Sequence, residues 1–175
     1  MKLMKSALLV SLLLGLTACV SKIAVPQDMP KASFTVTVTG FIKDNDLTNY
    51  EYVRIDMKNA DESWQGYQII KPDQTRYELD IPAEQALTAT VNLMQGGGKI
   101  ELFGKGGSFS ASCGLIVPLQ VSPGDKVDFV FNLQHESNED KIAGAAIISG
   151  CDSQLMINDK APQKLVGEAT FSEIT

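Results

Sequence analysis

The sequence "FSASCGLIVPLQV", from Phe109 to Val121, has an apolar side chain at nearly every second position. The residues of one parity are Phe109, Ala111, Cys113, Leu115, Val117, Leu119 and Val121. Alternation with a period of two is typical of a β-strand that has one face on a core and the other in water. Cys113 is therefore predicted to point inward. Pro118 has no N–H group to donate, so it either divides this run or lies at a sheet edge.

The same period of two recurs along most of the chain. It is found in "SFTVTVTGFI" (33–42), "YVRIDMK" (52–58), "RYELDI" (76–81), "LTATVNL" (87–93) and "VDFVFNL" (127–133). No stretch sustains the helical pattern of apolar residues over several turns. About nine short strands, separated by Gly, Pro, Asn and Asp clusters, predict an all-β fold. We expect a two-layer β-sandwich of immunoglobulin-like or transthyretin-like topology, with a partly open β-barrel as the alternative.

The N-terminus has the composition of a secretory signal. Lys2 and Lys5 precede the apolar run "ALLVSLLLGL" from Ala7 to Leu16. This run is shorter than the roughly 20 apolar residues that a bilayer-spanning helix needs. A charged start, a short apolar centre and small residues at the end are typical of a signal peptide that is removed on maturation.

The signal ends in Leu16, Thr17, Ala18 and Cys19, which resemble the lipobox of bacterial lipoproteins. The resemblance implies lipid transfer to the Cys19 sulfur, cleavage between Ala18 and Cys19, and acylation of the new N-terminus. Several acyl chains anchor a protein firmly to a membrane, whereas one holds it only marginally. Val20 stands where an inner-membrane retention aspartate would stand, so the resemblance implies the outer membrane of a Gram-negative cell, with the periplasmic leaflet preferred to the surface.

The mature chain is predicted to consist of a tether and one domain. Residues 1–18 are the cleaved signal peptide, and residues 19–32 are interpreted as the lipidated N-terminus and a flexible tether containing Pro26 and Pro30. Residues 33–175 are predicted to form a single β-sandwich domain, because they contain no internal repeat and no segment with the composition of a disordered linker. This length is sufficient for a domain with its own core.

The charge of the chain excludes one class of partner. The full sequence has 15 basic and 21 acidic residues. Without Lys2 and Lys5 the mature chain has 13 basic residues against 21 acidic ones, a formal charge of −8. A nucleic-acid partner would require a basic stripe, so none is expected.

Cys113 and Cys151 are predicted to form a disulfide. With Cys19 used for lipid, an even number of cysteines remains in an exported protein, where disulfides persist. Two separate buried thiols are the alternative interpretation.

Two loop sequences resemble ligand-binding motifs without meeting their requirements. "GGGKIELFGKGG", from Gly96 to Gly107, lacks the Ser or Thr after Gly-Lys and the helix that a phosphate-binding loop needs. It is interpreted as turns, with a mobile contact loop as the alternative. Asp44, Asp46, Thr48 and Glu51 place oxygen ligands in a calcium-like spacing, but the loop lacks the glycine of the helical calcium loop and is interpreted as an ordinary connection.

His135 is the one histidine of the chain and lies in the polar sequence "HESNED" (135–140), interpreted as a turn. A zinc enzyme needs several ligands around an open position. A serine triad would need His135 as its base together with a nucleophilic serine, and no serine lies in a Gly-x-Ser-x-Gly elbow. No catalytic, cofactor-binding or metal-binding residue is therefore assigned, and no cofactor is expected.

Trp64 and Tyr67 are the remaining candidates for ligand contact. Exposed aromatic rings stack on sugars or anchor protein contacts. The preferred interpretation is that Trp64, the sole tryptophan, covers one end of the core. Taken together, the sequence predicts a non-catalytic, lipid-anchored envelope protein whose β-domain binds or supports another envelope component. The alternative is a small periplasmic enzyme or a glycan- or metal-binding module.

Overall fold

The computed structural model describes residues 22–42, 50–98, 108–137 and 146–174. These residues form ten β-strands and no helix. The strands are β1 Lys31–Thr39, β2 Tyr50–Asn59, β3 Gln65–Ile70, β4 Arg76–Pro82, β5 Ala86–Gly98, β6 Ser108–Gln120, β7 Lys126–Ser137, β8 Ala146–Ile157, β9 Gln163–Val166 and β10 Glu168–Ile174. Each alternating run of the sequence falls within or across one of these strands, so the all-β prediction is confirmed.

The strands form two packed sheets of five strands each. Sheet I has the order β4-β1-β7-β8-β9, and sheet II has the order β10-β6-β5-β2-β3. β1 and β7 pair in parallel, whereas the other paired strands of the two sheets are antiparallel. Neither sheet closes on itself. The two-layer sandwich is therefore confirmed, and the alternative of a partly open barrel is wrong.

The core lies between the inner faces of the two sheets. Its largest fully buried side chains include the aromatic residues Phe34, Phe129 and Phe131. The ring centroids of Phe34 and Phe129 are 6.0 Å apart, and those of Phe129 and Phe131 are 6.2 Å apart. These residues occupy alternate inward positions of β1 and β7, as the period of two predicts.

Pro118 lies inside β6 without ending it. β6 pairs with β5 along its whole length, but β10 pairs with β6 only as far as Gly114. Pro118 therefore lies where β6 has no partner on one side, which is the edge position that a residue without an N–H group tolerates. Of the two sequence-based possibilities, the structure shows the edge.

The predicted disulfide is confirmed as a link between the sheets. Cys113 in β6 of sheet II is bonded to Cys151 in β8 of sheet I, with their Cα atoms 6.0 Å apart. Both cysteines are buried and belong to the inward-facing sets of their strands. The bridge therefore ties the two layers together covalently.

Gly167 lies directly against this disulfide, where the chain passes from β9 in sheet I to β10 in sheet II. A Cβ atom at Gly167 would lie 2.4 Å from the Cys151 sulfur and 2.8 Å from the carbonyl oxygen of Gly114. The glycine N–H donates to the carbonyl oxygen of Cys151 at 2.9 Å. Glycine is required here because of the close approach and not because of a left-handed φ.

We expect Gly167→Ala to lower the free energy of unfolding by about 1–3 kcal/mol, because inserting a carbon atom into a packed site forces shifts of rigid neighbours. The measurement is a urea titration of the oxidised protein followed by circular dichroism. Val166→Ala is the matched control, since Val166 is 81% exposed and its loss should change stability by less than about 0.5 kcal/mol. Equal stability of the Gly167→Ala variant and the wild type would contradict the prediction.

The predicted tether of residues 19–32 needs correction, because residues 22–32 lie against the sandwich. Ile23 N donates to the carbonyl oxygen of Tyr67 at 2.9 Å, and Lys22 forms a parallel bridge with Tyr67 on β3. Ala83 N donates to Pro30 O at 2.9 Å, and β1 begins at Lys31.

Two features of the sequence allow this docking. Ile23 and Val25 are partly buried and pack against the core. Gly66 on β3 has no side chain, and a Cβ atom there would lie 2.8 Å from the Cα atom of Ile23. The apolar side chains and the close backbone approach together hold residues 22–25 on the outer edge of sheet II.

Candidate functional site

Three polar side chains occupy inward positions at the ends of apolar alternating runs. Glu51 continues the inward set of β2, Gln95 continues that of β5, and His135 continues that of β7. β2 and β5 belong to sheet II, whereas β7 belongs to sheet I. The three side chains meet between the layers, and we call them the interlayer cluster.

Glu51 and His135 are in direct contact within this cluster. His135 Nε2 lies 2.6 Å from Glu51 Oε1, and the side chains are 9% and 5% exposed, respectively. Because a carboxylate has only acceptors, the imidazole nitrogen is the donor. The second carboxylate oxygen, Oε2, accepts a hydrogen bond from Ile42 N at 3.0 Å. Glu51 therefore joins β7 to the segment that follows β1.

Gln95 completes the cluster and is only 1% exposed. Its Nε2 donates to Glu51 Oε1 at 3.4 Å, and its Oε1 accepts from Ile148 N at 3.3 Å. Ile148 pairs with His135 at a register shift of β7 against β8, between Gln134 and His135. A bulge of this kind re-aims a strand locally. The side chains of the cluster thus provide hydrogen-bond partners for the backbone and side-chain polar groups that lie inside the sandwich at the bulge.

This geometry suits a structural cluster better than a catalytic one. The Nε2 atom of His135 is engaged by Glu51, and the imidazole is almost enclosed. A general base must reach a substrate proton within hydrogen-bond distance. The sequence-based placement of His135 in a polar turn is corrected, because His135 lies on the inward face of β7.

Of the four residues of the calcium-like loop, the structure describes the side chain of Glu51. Asp44, Asp46 and Thr48 lie outside the described residues, and the Glu51 side chain is turned into the sandwich. In the parts of the chain that the structure describes, no group of three or more His, Cys, Asp or Glu side chains could hold a metal ion. Lys99 to Gly107 of the glycine-rich stretch also lie outside the described residues.

Trp64 is positioned by the turn between β2 and β3. Its backbone N–H donates to Asn59 Oδ1 at 3.0 Å, and Asn59 Nδ2 donates to Ser63 Oγ at 2.9 Å. Glu62 takes a left-handed φ of 58° in this turn. Hydrogen bonds from Ser63 lower the pKa of the Asp61 carboxyl below its usual value. Hydrogen bonds within the turn therefore hold its backbone in the conformation that directs the indole of Trp64 toward the core.

The Trp64 side chain covers the core beneath the docked N-terminal segment. Trp64 is 7% exposed, and its Nε1 donates to the carbonyl oxygen of Ala24 at 2.9 Å. A buried indole with its N–H satisfied cannot stack on a sugar without rearrangement. The structure thus agrees with the preferred interpretation of Trp64 as a cover for the core.

Tyr67 lies on the outer face of β3, beside Arg54 of β2. The Arg54 guanidinium lies 4.9 Å from the centroid of the Tyr67 ring. Arg54 also donates to both carboxylate oxygens of Asp56 at 2.8 and 2.6 Å, and these hydrogen bonds raise the pKa of the guanidinium above its usual value. Trp64 and Tyr67 therefore do not form one ligand surface, since Trp64 points inward and Tyr67 outward.

A surface depression of about 260 Å³ lies beside this aromatic–cation pair. Its lining includes Asp56, Lys58, Gln65 and Thr90. Pockets for small organic ligands span about 300–1,000 Å³ and are mostly apolar. The depression is smaller than such pockets, so the outer face of β2 and β3 is better suited to contact with a surface than to enclosure of a ligand.

The residues predicted for lipidation and cleavage, Cys19 and Ala18, lie outside the described residues. The structure does place the next part of the chain, because Lys22 is already on the edge of β3. Among the described segments, none forms a helix long and apolar enough to cross a bilayer.

Comparison with protein-family models, with curated proteins and with solved structures gave no match.

Sequence reasoning did not identify the interlayer cluster, although a signal for it was present. Glu51 has the parity of Val53 and Ile55, and His135 has the parity of Phe131 and Leu133. Extending each apolar run by one inward position would have placed both side chains inside. Their meeting across the sheets has no such signal, because it depends on the order of the strands.

Proposed function

We propose that this protein is a lipid-anchored, non-catalytic protein of the bacterial cell envelope. Its anchor is the acylated Cys19, and its disulfide-bonded β-sandwich faces the periplasm from the outer membrane. The sandwich binds or supports another component of the envelope. The observation that carries this proposal is the lipobox-like sequence Leu16 to Cys19, placed at the end of an 18-residue signal and directly before the folded domain.

Two features of the fold support export and anchoring. The Cys113–Cys151 disulfide is of the kind that persists in oxidising compartments outside the cytoplasm. The docked segment includes Lys22, three residues after Cys19, so a cut between Ala18 and Cys19 would remove the signal and leave that segment intact. The acidic charge of the chain means that the acyl chains, and not a basic surface, must provide the membrane attachment.

The state of the sole histidine supports a non-catalytic role. The Nε2 atom of His135 is bonded to Glu51 inside the sandwich, which removes the one imidazole of the chain from surface chemistry. The outer faces of the sheets are extended surfaces suited to a macromolecular partner. Crosslinking in intact cells, followed by mass spectrometry, is the means of identifying that partner.

We expect Cys19→Ser to abolish acylation, because a hydroxyl group is a far poorer nucleophile than a thiolate. Cells are fed an alkyne fatty acid, and the label on the immunoprecipitated protein is compared between the wild type and the variant. Ser21→Ala, which changes a neighbouring residue outside the lipobox, is the control and should keep the label. Equal labelling of wild type and Cys19→Ser would refute the anchor.

A further inference from the structure

The docking of residues 22–25 on β3 leaves very little chain between the proposed lipid and the fold. Cys19 and Lys22 are separated by three residue steps, which span at most about 11 Å when fully extended. Ile23 is fixed to Tyr67 and packs closely on Gly66. The short connection therefore restricts which part of the sandwich can approach the membrane.

The part nearest to the connection is the outer edge of β3. β8 and β9 of sheet I pack against β6 and β10 of sheet II, so β9 and β10 lie on one side of the sandwich and the opposite edge strands, β3 and β4, lie on the other. Five strands at a spacing of about 4.8 Å place these two sides about 19 Å apart. A lipid attached three residues before Lys22 consequently brings one side to the membrane and holds the other away from it.

The charges of this edge suit a membrane surface better than those of sheet I. β3 has no charged residue, and residues 22–25 of the docked segment carry one charged side chain, Lys22. On the neighbouring β2, Asp56 is paired with Arg54. The outward positions of β7 and β8 in sheet I, by contrast, include the carboxylates of Asp128 and Asp152, whereas Asp80 of β4 is paired with Lys31. Carboxylates facing anionic lipids would be repelled.

The outer face of β2 and β3 also presents side chains that suit the headgroup region. Tyr67 is half-buried against Arg54, and Tyr52 and Ile69 lie on the same face of the sheet. Amphipathic aromatic rings and long cationic side chains combine an apolar body with a polar tip, which is the character of groups found at membrane–water interfaces.

We propose that the edge formed by β3 and the docked segment 22–25 is the membrane-facing surface of the sandwich. This inference rests on the proposed lipidation of Cys19. It leaves the β9–β10 side as the surface directed toward the interior of the periplasm and toward a partner. The short connection thus fixes the orientation of the domain, and the lipid does not merely hold the domain at the membrane.

The sole tryptophan allows a direct test without labelling, because Trp64 lies under the docked segment. The lipidated protein is purified from membranes and reconstituted into phosphatidylethanolamine–phosphatidylglycerol vesicles that contain a lipid with a headgroup nitroxide. We expect the nitroxide to reduce Trp64 fluorescence. An otherwise identical protein with about 20 Gly and Ser residues inserted between Ser21 and Lys22 should lose this quenching, because such a linker has a root-mean-square length of about 25 Å.

A second variant moves the probe to the far side. Trp64→Phe combined with Val166→Trp places the tryptophan on β9, where position 166 is highly exposed, and we expect little quenching. Circular dichroism checks that this variant folds. The linker variant changes no residue of the fold, so the comparison with the wild type stands even if the double substitution is not tolerated.

The outcomes separate the orientation from the anchor. Intact mass of each purified protein reports whether acyl groups are present. Acylated proteins with equal quenching in the wild type and the linker variant, or with stronger quenching from position 166 than from Trp64, would overturn the orientation and leave the anchor in place. A mass without acyl groups would overturn the proposed anchor, and the orientation proposal would fall with it.

Discussion

Removal of the Cys113–Cys151 disulfide by the double substitution C113A/C151A is expected to lower the free energy of unfolding by about 2–5 kcal/mol. The two cysteines are 38 residues apart in sequence, and closing a loop of this length contributes about 4 kcal/mol on the chain-entropy model. Both side chains are also buried between the sheets, so the double variant loses packing at the point where β6 faces β8. Such a loss is a large part of the 5–15 kcal/mol that typically stabilises a domain.

The measurement is a urea titration of the wild type with and without reductant, compared with the double variant under the same conditions. Reductant should destabilise the wild type and leave the double variant unchanged, which separates the disulfide from general effects of the reagent. The thiols provide an independent check. If Cys113 and Cys151 of the native, unreduced protein both become alkylated on unfolding, there is no disulfide to remove.

The second large effect is expected at Glu51 of the interlayer cluster. Glu51→Ala should lower the free energy of unfolding by about 3 kcal/mol, because it removes the acceptor of His135 Nε2, Gln95 Nε2 and Ile42 N in one step. A buried donor without a partner costs about 1–3 kcal/mol, and three donors lose their acceptor together. Truncation also leaves a void between β2 and β7, whose lining loses its contacts.

Two variants distinguish this effect from a nonspecific one. Glu51→Gln keeps the shape of the side chain and one acceptor oxygen, so it should cost less than Glu51→Ala. Glu136→Ala removes an exposed carboxylate next to His135 on β7 and should change stability by less than about 0.5 kcal/mol. Urea titrations of the three variants make the comparison. If Glu51→Ala and Glu136→Ala are equally stable, the contacts of Glu51 do not stabilise the fold.

The candidate site illustrates where sequence reasoning reached its limit. Parity along β2 and β7 contains enough information to place Glu51 and His135 on inward faces. Nothing in the sequence shows that they meet, because they are 84 residues apart and belong to different sheets. Trp64 is a similar case. Its residue type predicts that the side chain is buried and covers the core. Its hydrogen bond to the carbonyl group of Ala24 depends on the docking of a segment 40 residues earlier, which the residue type does not predict.

The tether shows why polar and proline-containing segments are difficult to interpret locally. Residues 22–32 have no sustained period, since they form no regular strand before Lys31. Their order comes from partners elsewhere: Gly66, which permits a close approach, and Tyr67, which accepts the hydrogen bond from Ile23 N. A pattern within the segment could not reveal contacts that β3 provides.

For six of the ten strands, namely β1, β2, β4, β5, β6 and β7, the alternating runs predict the strand and the side that faces the core, and they predict that Cys113 points inward. These properties are local, because successive side chains of a strand alternate between its faces and burial selects apolar residues on one of them. Tertiary packing specifies the strand orders, the parallel pairing of β1 with β7, the crossing between sheets at Gly167 and the docking of residues 22–25 on β3. The physical reason is that backbone hydrogen bonds are nearly the same for every pair of strands. Strand order therefore emerges only when side chains from distant parts of the chain pack together.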